Sequence, residues 1–176
     1  QTDLVTVTGR KGNSTKALYQ AVKNDDPDDS ALTRNQFNIY PSPSNNLDRL
    51  YVRYWIKFQS DLETIMHNSS WRMMAEWYES GNDYSFNLMA KKPAGVGNLI
   101  WAINSRILKP TVSTDFLELN DQIRVPVGEW FLLELFWKLD EGSDGQILVK
   151  VNGEEVFNRL GRNRLNSEIL AIAVFK

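Results

Sequence analysis

Apolar side chains recur at every second position in several short runs of this chain, and this period constrains the fold more than any other feature. In the run YVRYWIKF at 51–58, Val52, Tyr54 and Ile56 alternate with polar or amphipathic residues. Successive side chains of a β-strand point to opposite faces, so each run predicts a strand with one buried face. The same alternation marks 71–78, 84–91, 98–107, 130–138, 146–151, 154–157 and 169–175.

Turn residues separate these runs, and helical periodicity is scarce. Asn152-Gly153 predicts a two-residue hairpin turn, because Asn and Gly accept the positive φ angles that such turns require. The first 48 residues hold two weaker strand candidates, around 16–22 and 35–39. Many strands without crossover helices predict an all-β chain. We therefore expect one domain over 1–176, folded as a two-sheet antiparallel β-sandwich of the jelly-roll type.

Charge and composition narrow the classes of partner. The chain has 20 basic and 22 acidic side chains, a formal net charge of −2 and no cysteine. Nucleic-acid binding requires a basic excess, so nucleic acid is not an expected partner. No apolar run approaches the ~20 residues of a bilayer span, so no membrane partner is expected. The first residue is Gln1 rather than Met, which favours a processed, secreted or periplasmic chain, as a monomer or a module of a larger chain.

Three segments carry a resemblance to a known group of proteins. The segments VGEWFLLELFWK at 127–138, SDG at 143–145 and VKVNG at 149–153 resemble a signature of concanavalin-like polysaccharide-active domains. The strands at 51–58 and 71–78 resemble core strands of heparin-lyase-like and glucuronan-lyase-like jelly rolls. The resemblance extends over 50–157, and it implies a concanavalin-like jelly roll that acts on polysaccharides.

The chain departs from that group at a position that matters for catalysis. In those lyases the strand matching 74–78 commonly ends in Gln-x-His, and the His helps remove the proton beside the uronate carboxylate. Here the matching residues are Glu76 and Tyr78, and the one histidine, His67, lies in a polar loop. A Tyr can serve as base and acid when neighbouring cations lower its pKa. The Glu-x-Asp-x-x-Glu string of the retaining glucanases is absent from the sequence.

The polar positions of the predicted strands give a candidate binding face. Aromatic rings stack on sugar rings, and Arg or Lys pairs with carboxylates if the sugar is a uronate. The alternative is an ordinary solvated face of an antiparallel sheet. We expect one concave face to carry the substrate-binding residues Tyr51, Arg53, Trp55, Lys57, Arg72, Glu76, Tyr78, Asn87, Asn104, Arg106, Glu134 and Lys138, with Lys91 beside them.

Three functional hypotheses follow. The first is a non-catalytic carbohydrate-binding domain belonging to a system of polysaccharide degradation. The second is a small lyase that cleaves a uronate polymer by β-elimination, with Tyr78 as base and acid and with Arg72, Lys91 or Arg106 neutralising the carboxylate. The third is a laminin-G-like module that binds a protein partner through the aromatic face.

Two groups of acidic residues are candidates for more specific sites, a catalytic carboxylate pair and a Ca²⁺ site. Glu76 and Glu134 are candidates for paired acid–base carboxylates, with ion pairs to neighbouring cations as the favoured alternative. No cofactor is expected apart from a structural Ca²⁺. Its candidate ligands are Asp25, Asp26 and Asp28 in NDDPDD at 24–29, since Ca²⁺ takes about six to eight oxygen ligands. The alternative for that run is a solvated loop.

Overall fold

A computed structural model describes residues 2–20, 37–39, 48–79, 84–165 and 169–174. It contains twelve strands and one short helix, α1, at Leu62–Ile65. The strands are β1 Thr2–Thr8, β2 Ser14–Gln20, β3 Phe37–Ile39, β4 Arg49–Lys57, β5 Trp71–Glu79, β6 Tyr84–Lys91, β7 Ile100–Ile107, β8 Ser113–Asn120, β9 Trp130–Lys138, β10 Gln146–Val151, β11 Glu154–Leu160 and β12 Ile169–Val174.

The strands form two main sheets and one hairpin, and all pairings are antiparallel. The four-stranded sheet has the order β11-β10-β9-β4, and the six-stranded sheet has the order β3-β12-β5-β6-β7-β8. Among the described strands, β1 and β2 pair only with each other. Among the described strands the chain changes from one main sheet to the other four times, between β3 and β4, β4 and β5, β8 and β9, and β11 and β12. This arrangement confirms the predicted all-β jelly-roll sandwich.

Aromatic residues of the two sheets pack between them. Trp137 of β9 meets Trp77 of β5 edge to face, with ring centroids 4.6 Å apart, and lies 6.0 Å from Phe86 of β6. Trp101 of β7 contacts Phe131 of β9 in the same way at 6.0 Å. All five side chains are buried. The inward set of each alternating strand therefore forms the core, as the period of two predicted.

Most predicted strands are present with small shifts at their ends, and the hairpin turn at Asn152-Gly153 is confirmed. Both residues have positive φ, 53° and 85°. The Asn152 side chain also accepts a hydrogen bond from the Leu132 amide at 2.9 Å, which ties the turn to β9. Residues 21, 22, 35, 36 and 175, at the ends of predicted strands, lie outside the described residues.

The prediction missed β1 and β8. In β8 only Phe116 is buried, while Leu117 and Leu119 are 50% and 53% exposed on the opposite face. Glu118 on the inward side bonds Arg159 at 2.9 Å, and that guanidinium stacks on Phe116. Because this edge strand has a charged residue on its inward side and leucines on its outward side, it lacks the alternation of apolar inward and polar outward residues that marks the other strands.

No helix among the described residues has the length and hydrophobicity that a bilayer crossing requires.

We expect Trp137→Ala to destabilise the fold strongly, because it removes the ring that joins the two sheets. Truncating a buried Trp typically costs about 3–5 kcal/mol in free energy of unfolding. Urea denaturation followed by circular dichroism measures this loss. Trp71→Ala is the matched control, since Trp71 is 50% exposed and should cost much less. Equal losses for the two variants would contradict the assignment of Trp137 to the core.

Candidate functional site

The expected single binding face is divided between the two outer faces of the sandwich. This part of the prediction was wrong, because β4 and β5 follow each other in the chain but belong to different sheets. The outer face of the four-stranded sheet carries Tyr51, Arg53, Trp55, Lys57, Glu134 and Lys138. The outer face of the six-stranded sheet carries Glu76, Tyr78, Asn87, Lys91, Asn104 and Arg106.

Arg72 belongs to neither outer face, because a β-bulge interrupts β5. The register with β6 shifts between Met73 and Ala75, so Met74 is an extra residue in the strand. Arg72 consequently pairs with the buried core residue Ala90, on the inward side of the sheet. Burial there lowers the pKa of the Arg72 guanidinium below its ordinary value. The predicted role of Arg72 at the binding face thus lacks support from the register.

The bulge is stabilised from the opposite sheet. The hydroxyl of Tyr54 on β4 donates a hydrogen bond of 2.9 Å to the carbonyl oxygen of Met74. A bulged residue is left out of the regular ladder, so its buried carbonyl needs another donor. Burial also raises the pKa of Tyr54, which keeps the donor protonated. The bulge therefore depends on a residue 20 positions away in the chain.

The bulge also brings a new aromatic residue to the surface. Trp71, which the alternation assigned to the buried set, pairs with Lys91 on the outer face of the six-stranded sheet and is 50% exposed. Sequence reasoning missed it because a single extra residue reverses the parity of everything before it. The consecutive methionines Met73 and Met74 give no signal of the bulge.

Six polar residues form what we call the polar floor, at the centre of this outer face. They lie in two cross-strand rows, each formed by one residue from β5, β6 and β7. The first row is Glu76, Asn87 and Asn104, and the second is Tyr78, Ser85 and Arg106.

The polar floor is buried to an unusual degree for an outward sheet face. Glu76, Asn87 and Ser85 are 2%, 3% and 0% exposed. Tyr78 donates a short hydrogen bond to Glu76, and the Asn87 amide donates to the Asn104 side-chain oxygen at 2.8 Å. A solvated sheet face exposes its polar side chains to water, so this face does not fit that description. The floor is a largely buried polar layer that contains two side-chain hydrogen bonds.

Several polar atoms of the floor have no hydrogen-bond partner within the described ranges. They are the Ser85 hydroxyl, the Asn87 side-chain oxygen and Nε of Arg106. Buried polar groups are almost always paired, so each exception requires an explanation. These three residues neighbour one another across β6 and β7. The floor thus has donor and acceptor capacity that a hydroxyl-rich ligand could use after small side-chain movements.

The three residues expected to act in a lyase are not brought together. Lys91 lies six residues along β6 from Ser85, the partner of Tyr78, which is about 20 Å in a strand. Arg106 is the cation nearest to Tyr78 in register, in the same row on the other side of Ser85. Two strand spacings separate their backbones, about 10 Å. Tyr78 and Arg106 therefore flank Ser85, which is fully buried between them.

The outer face of the four-stranded sheet has a different character. Its β4 residues are exposed, with Tyr51 at 53% and Trp55 at 38%. Tyr51 donates a hydrogen bond of 2.5 Å to Glu134, and this bond raises the pKa of the Tyr51 phenol. This face is solvated, as the alternative interpretation of an antiparallel sheet predicts.

Glu76 and Glu134 do not form a catalytic pair, because they lie on opposite outer faces of the sandwich. His67 is exposed in the loop before β5, as expected. Asp25, Asp26 and Asp28 lie outside the described residues, so the Ca²⁺ prediction stays a prediction. Within the ranges that the structure does describe, no group of three His, Cys, Asp or Glu side chains could hold a metal ion.

Known proteins resemble this chain in structure but not in sequence. No family model and no curated protein sequence matches it. The endo-β-1,4-glucuronan lyase of the fungus Trichoderma reesei superposes with a TM-score of 0.57 at 12% identity, over 99% of this chain and 75% of the lyase. The alginate lyase Aly36B, as a mutant in complex with alginate trisaccharide, superposes with a TM-score of 0.55 at 13% identity, over 73% of this chain and 60% of that lyase.

The unmutated Aly36B gives a TM-score of 0.53 at 16% identity. This chain spans about three fifths of the length of that alginate lyase, 59%. Identities this low show a shared fold alone. The chain therefore has the β-sandwich fold of two polysaccharide lyases, which confirms the predicted fold-level resemblance.

We expect Tyr54→Phe to destabilise the protein by about 1–3 kcal/mol, because it leaves the buried Met74 carbonyl without this donor. Tyr51→Phe is the control, since it removes a tyrosine hydroxyl of the same strand from an exposed site. Thermal unfolding of both variants checks the difference. If Tyr54→Phe were no more damaging than Tyr51→Phe, the bulge would not depend on this hydrogen bond.

Proposed function

We propose that this domain binds a polysaccharide on the outer face of the six-stranded sheet, above the polar floor. The observation that carries the proposal is the burial of hydrogen-bonding side chains on an outward sheet face. Glu76, Asn87 and Ser85 are each at most 3% exposed, although their strand neighbours already supply the core. Keeping polar groups in such a place costs free energy unless they serve a ligand or a network.

The chemistry of the floor suits a sugar better than other ligands. Asn87 and Asn104 present amide donors and acceptors, and Tyr78 and Ser85 add hydroxyl groups. Sugar hydroxyls both donate and accept, so a mixed set of this kind can pair with them. One carboxylate, Glu76, and one guanidinium, Arg106, leave the floor with balanced formal charge. The floor therefore suits a hydroxyl-rich ligand.

Apolar groups border the floor where a pyranose ring could rest. Trp71 lies toward one end of β5, and Leu117 and Leu119 lie on the neighbouring edge strand β8, all at least 50% exposed. From Trp71 to Tyr78 the face extends for about 20 Å along the strands. A linear polymer can contact both the aromatic end and the partly exposed floor residues Tyr78, Asn104 and Arg106 over that length. The fold shared with a glucuronan lyase and an alginate lyase also supports a polysaccharide ligand.

A secreted or periplasmic location agrees with this proposal, because polysaccharide polymers are met outside the cytoplasm.

We expect Asn104→Ala and Arg106→Ala each to weaken polysaccharide binding by about fivefold to tenfold, the effect of losing one hydrogen bond to the ligand. Affinity electrophoresis through gels that contain neutral or uronic-acid polymers measures the change. Arg124→Ala is the control for Arg106, because Arg124 lies in the loop between β8 and β9 with 74% of its side chain exposed. Retardation unchanged in both floor variants would overturn the proposed site.

The row of Tyr78, Ser85 and Arg106 favours a second function, eliminative cleavage of a uronate polymer. A uronate ring above Ser85 would lie between a phenol and a guanidinium. Arg106 would neutralise the carboxylate so that the C5 proton becomes acidic. Tyr78, after passing its own proton to Glu76, would remove the C5 proton and then protonate the leaving oxygen. Tyr78 donates a hydrogen bond to Glu76, which holds the phenol in place.

We expect Tyr78→Phe to abolish turnover in the lyase case and, in both cases, to weaken binding by no more than about fivefold to tenfold, the cost of losing one hydrogen bond to the ligand. Cleavage by elimination creates an unsaturated product that absorbs at ~232 nm, so absorbance during incubation with a panel of polymers measures it. An absorbance rise that survives Tyr78→Phe would contradict the role of Tyr78. No rise with any uronate polymer, together with retarded migration, would leave binding as the function.

A further inference from the structure

Strand β4 carries an alternation of cations and aromatic rings on its outward side. The residues Arg49, Tyr51, Arg53, Trp55 and Lys57 are all exposed, and we call them the basic strip. Their inward neighbours pack against the core. Cations therefore recur every four residues, about 13 Å apart along the strand, with an aromatic ring between each pair.

The surroundings of the basic strip add positive charge. On the outward sides of β4, β9 and β10 there are five cations, Arg49, Arg53, Lys57, Lys138 and Lys150, and one carboxylate, Glu134. Glu134 accepts a hydrogen bond from the hydroxyl of Tyr51. Glu155 on the opposite edge strand β11 is the register partner of Lys150, and Asp48 and Asp140 line a shallow pocket together with Arg49 and Lys138. Since Glu134 is also the register partner of Arg53, the cations farther from these carboxylates lie at the other end of the strip, Lys57 and, stacked on Trp55, Arg10 of the β1–β2 hairpin. The local surface is cationic although the whole chain carries a net charge of −2.

The β1–β2 hairpin extends this surface at one end. Trp130 on β9 donates a hydrogen bond of 3.0 Å to the carbonyl of Thr8, and the Arg10 guanidinium lies 4.5 Å from the ring centroid of Trp55. Lys11 follows Arg10 in the turn of the hairpin and is exposed. The hairpin thus places further cations beside the Trp55 end of the basic strip.

Protection of a sheet edge does not account for all of these residues. Strand β4 is the last strand of its sheet, and charged residues on edge strands discourage pairing with other chains. The cations alone would be enough to protect the edge strand from such pairing. Exposed rings at Tyr51 and Trp55 add apolar surface between them, which works against it. Regular alternation of cation and ring suits a ligand that is itself a regular chain of carboxylates and sugar rings.

We infer that the basic strip is a second binding surface, separate from the polar floor, for an anionic polysaccharide laid along β4. Arg and Lys pair with the carboxylates, and the CH face of a sugar ring lies on Tyr51, while Arg10, stacked on Trp55, adds a further cation. The two surfaces face opposite sides of the sandwich, so one short oligosaccharide occupies only one of them. The inference rests on the proposed function for the class of ligand, but it concerns other residues and a different sheet.

Calorimetric titration with an alginate tetrasaccharide and with a glucuronan tetrasaccharide tests this surface. All proteins carry Tyr78→Phe, so that cleavage does not consume the ligand. The strip variant is Arg53→Glu with Lys57→Glu, the floor variant is Asn104→Ala with Arg106→Ala, and the control is Arg124→Glu. Circular dichroism checks that each variant is folded.

The expected stoichiometry is two oligosaccharides per chain for the parent and control, and one for each of the other variants. The affinity of the oligosaccharide for the basic strip should fall by about tenfold or more when added salt screens the ion pairs. If the titration shows a single binding event and only the strip variant removes it, the result would support binding at the basic strip and refute the proposed function at the polar floor. The inference would be overturned if the strip variant left every binding event unchanged. It would also be overturned if neither tetrasaccharide bound. Equal or tighter binding of single-stranded DNA to the strip would also overturn it, since the surface would then select phosphate.

Discussion

The packing of aromatic residues between the two sheets is the interaction on which the rest of the structure depends. Trp137 inserts its edge toward Trp77, which stacks on Phe86 with ring centroids 4.1 Å apart. Once these rings occupy the interior, the period of two along each strand fixes which residues face outward. Glu76 and Tyr78 face outward because Ala75 and Trp77 face inward. The two proposed binding surfaces are thus a consequence of core packing.

The two outward faces present different electrostatics to a ligand. The polar floor holds hydrogen-bonding groups at low exposure. There, water does not screen a hydrogen bond to a ligand, and the bond depends strongly on the orientation of donor and acceptor. The basic strip holds cations at high exposure, where attraction is long-ranged, weakly directional and sensitive to salt. A floor of the first kind selects by the arrangement of hydroxyls, whereas a strip of the second kind selects by charge density. The two proposed surfaces are therefore suited to two different properties of one polymer, its hydroxyl arrangement and its charge.

Sequence reasoning predicted local structure well and long-range placement poorly. The alternation at 51–58 and 130–138 identified the strands, their inward sets and the turn at Asn152-Gly153, because each depends on residues close in the chain. Assignment of a strand to a sheet depends on pairing with distant partners. Nothing in the polar residues of β4 and β5 shows that they face opposite sides. The six floor residues include five that were predicted, while Ser85 was missed because a small polar residue carries no chemical signature of its own.

The extra residue at Met74 sets the phase of β5, and this has a consequence for the chemistry of the outer face. If the bulge were lost and Met74 paired with Met89, Arg72 would turn outward and Trp71 and Met73 would turn inward, while everything from Ala75 onward would keep its place. The residue opposite Lys91 would then change from an indole to a guanidinium without any substitution. The Tyr54 hydroxyl, which bonds the Met74 carbonyl and holds this residue out of the ladder, thus decides which of the two side chains the sheet presents at that end.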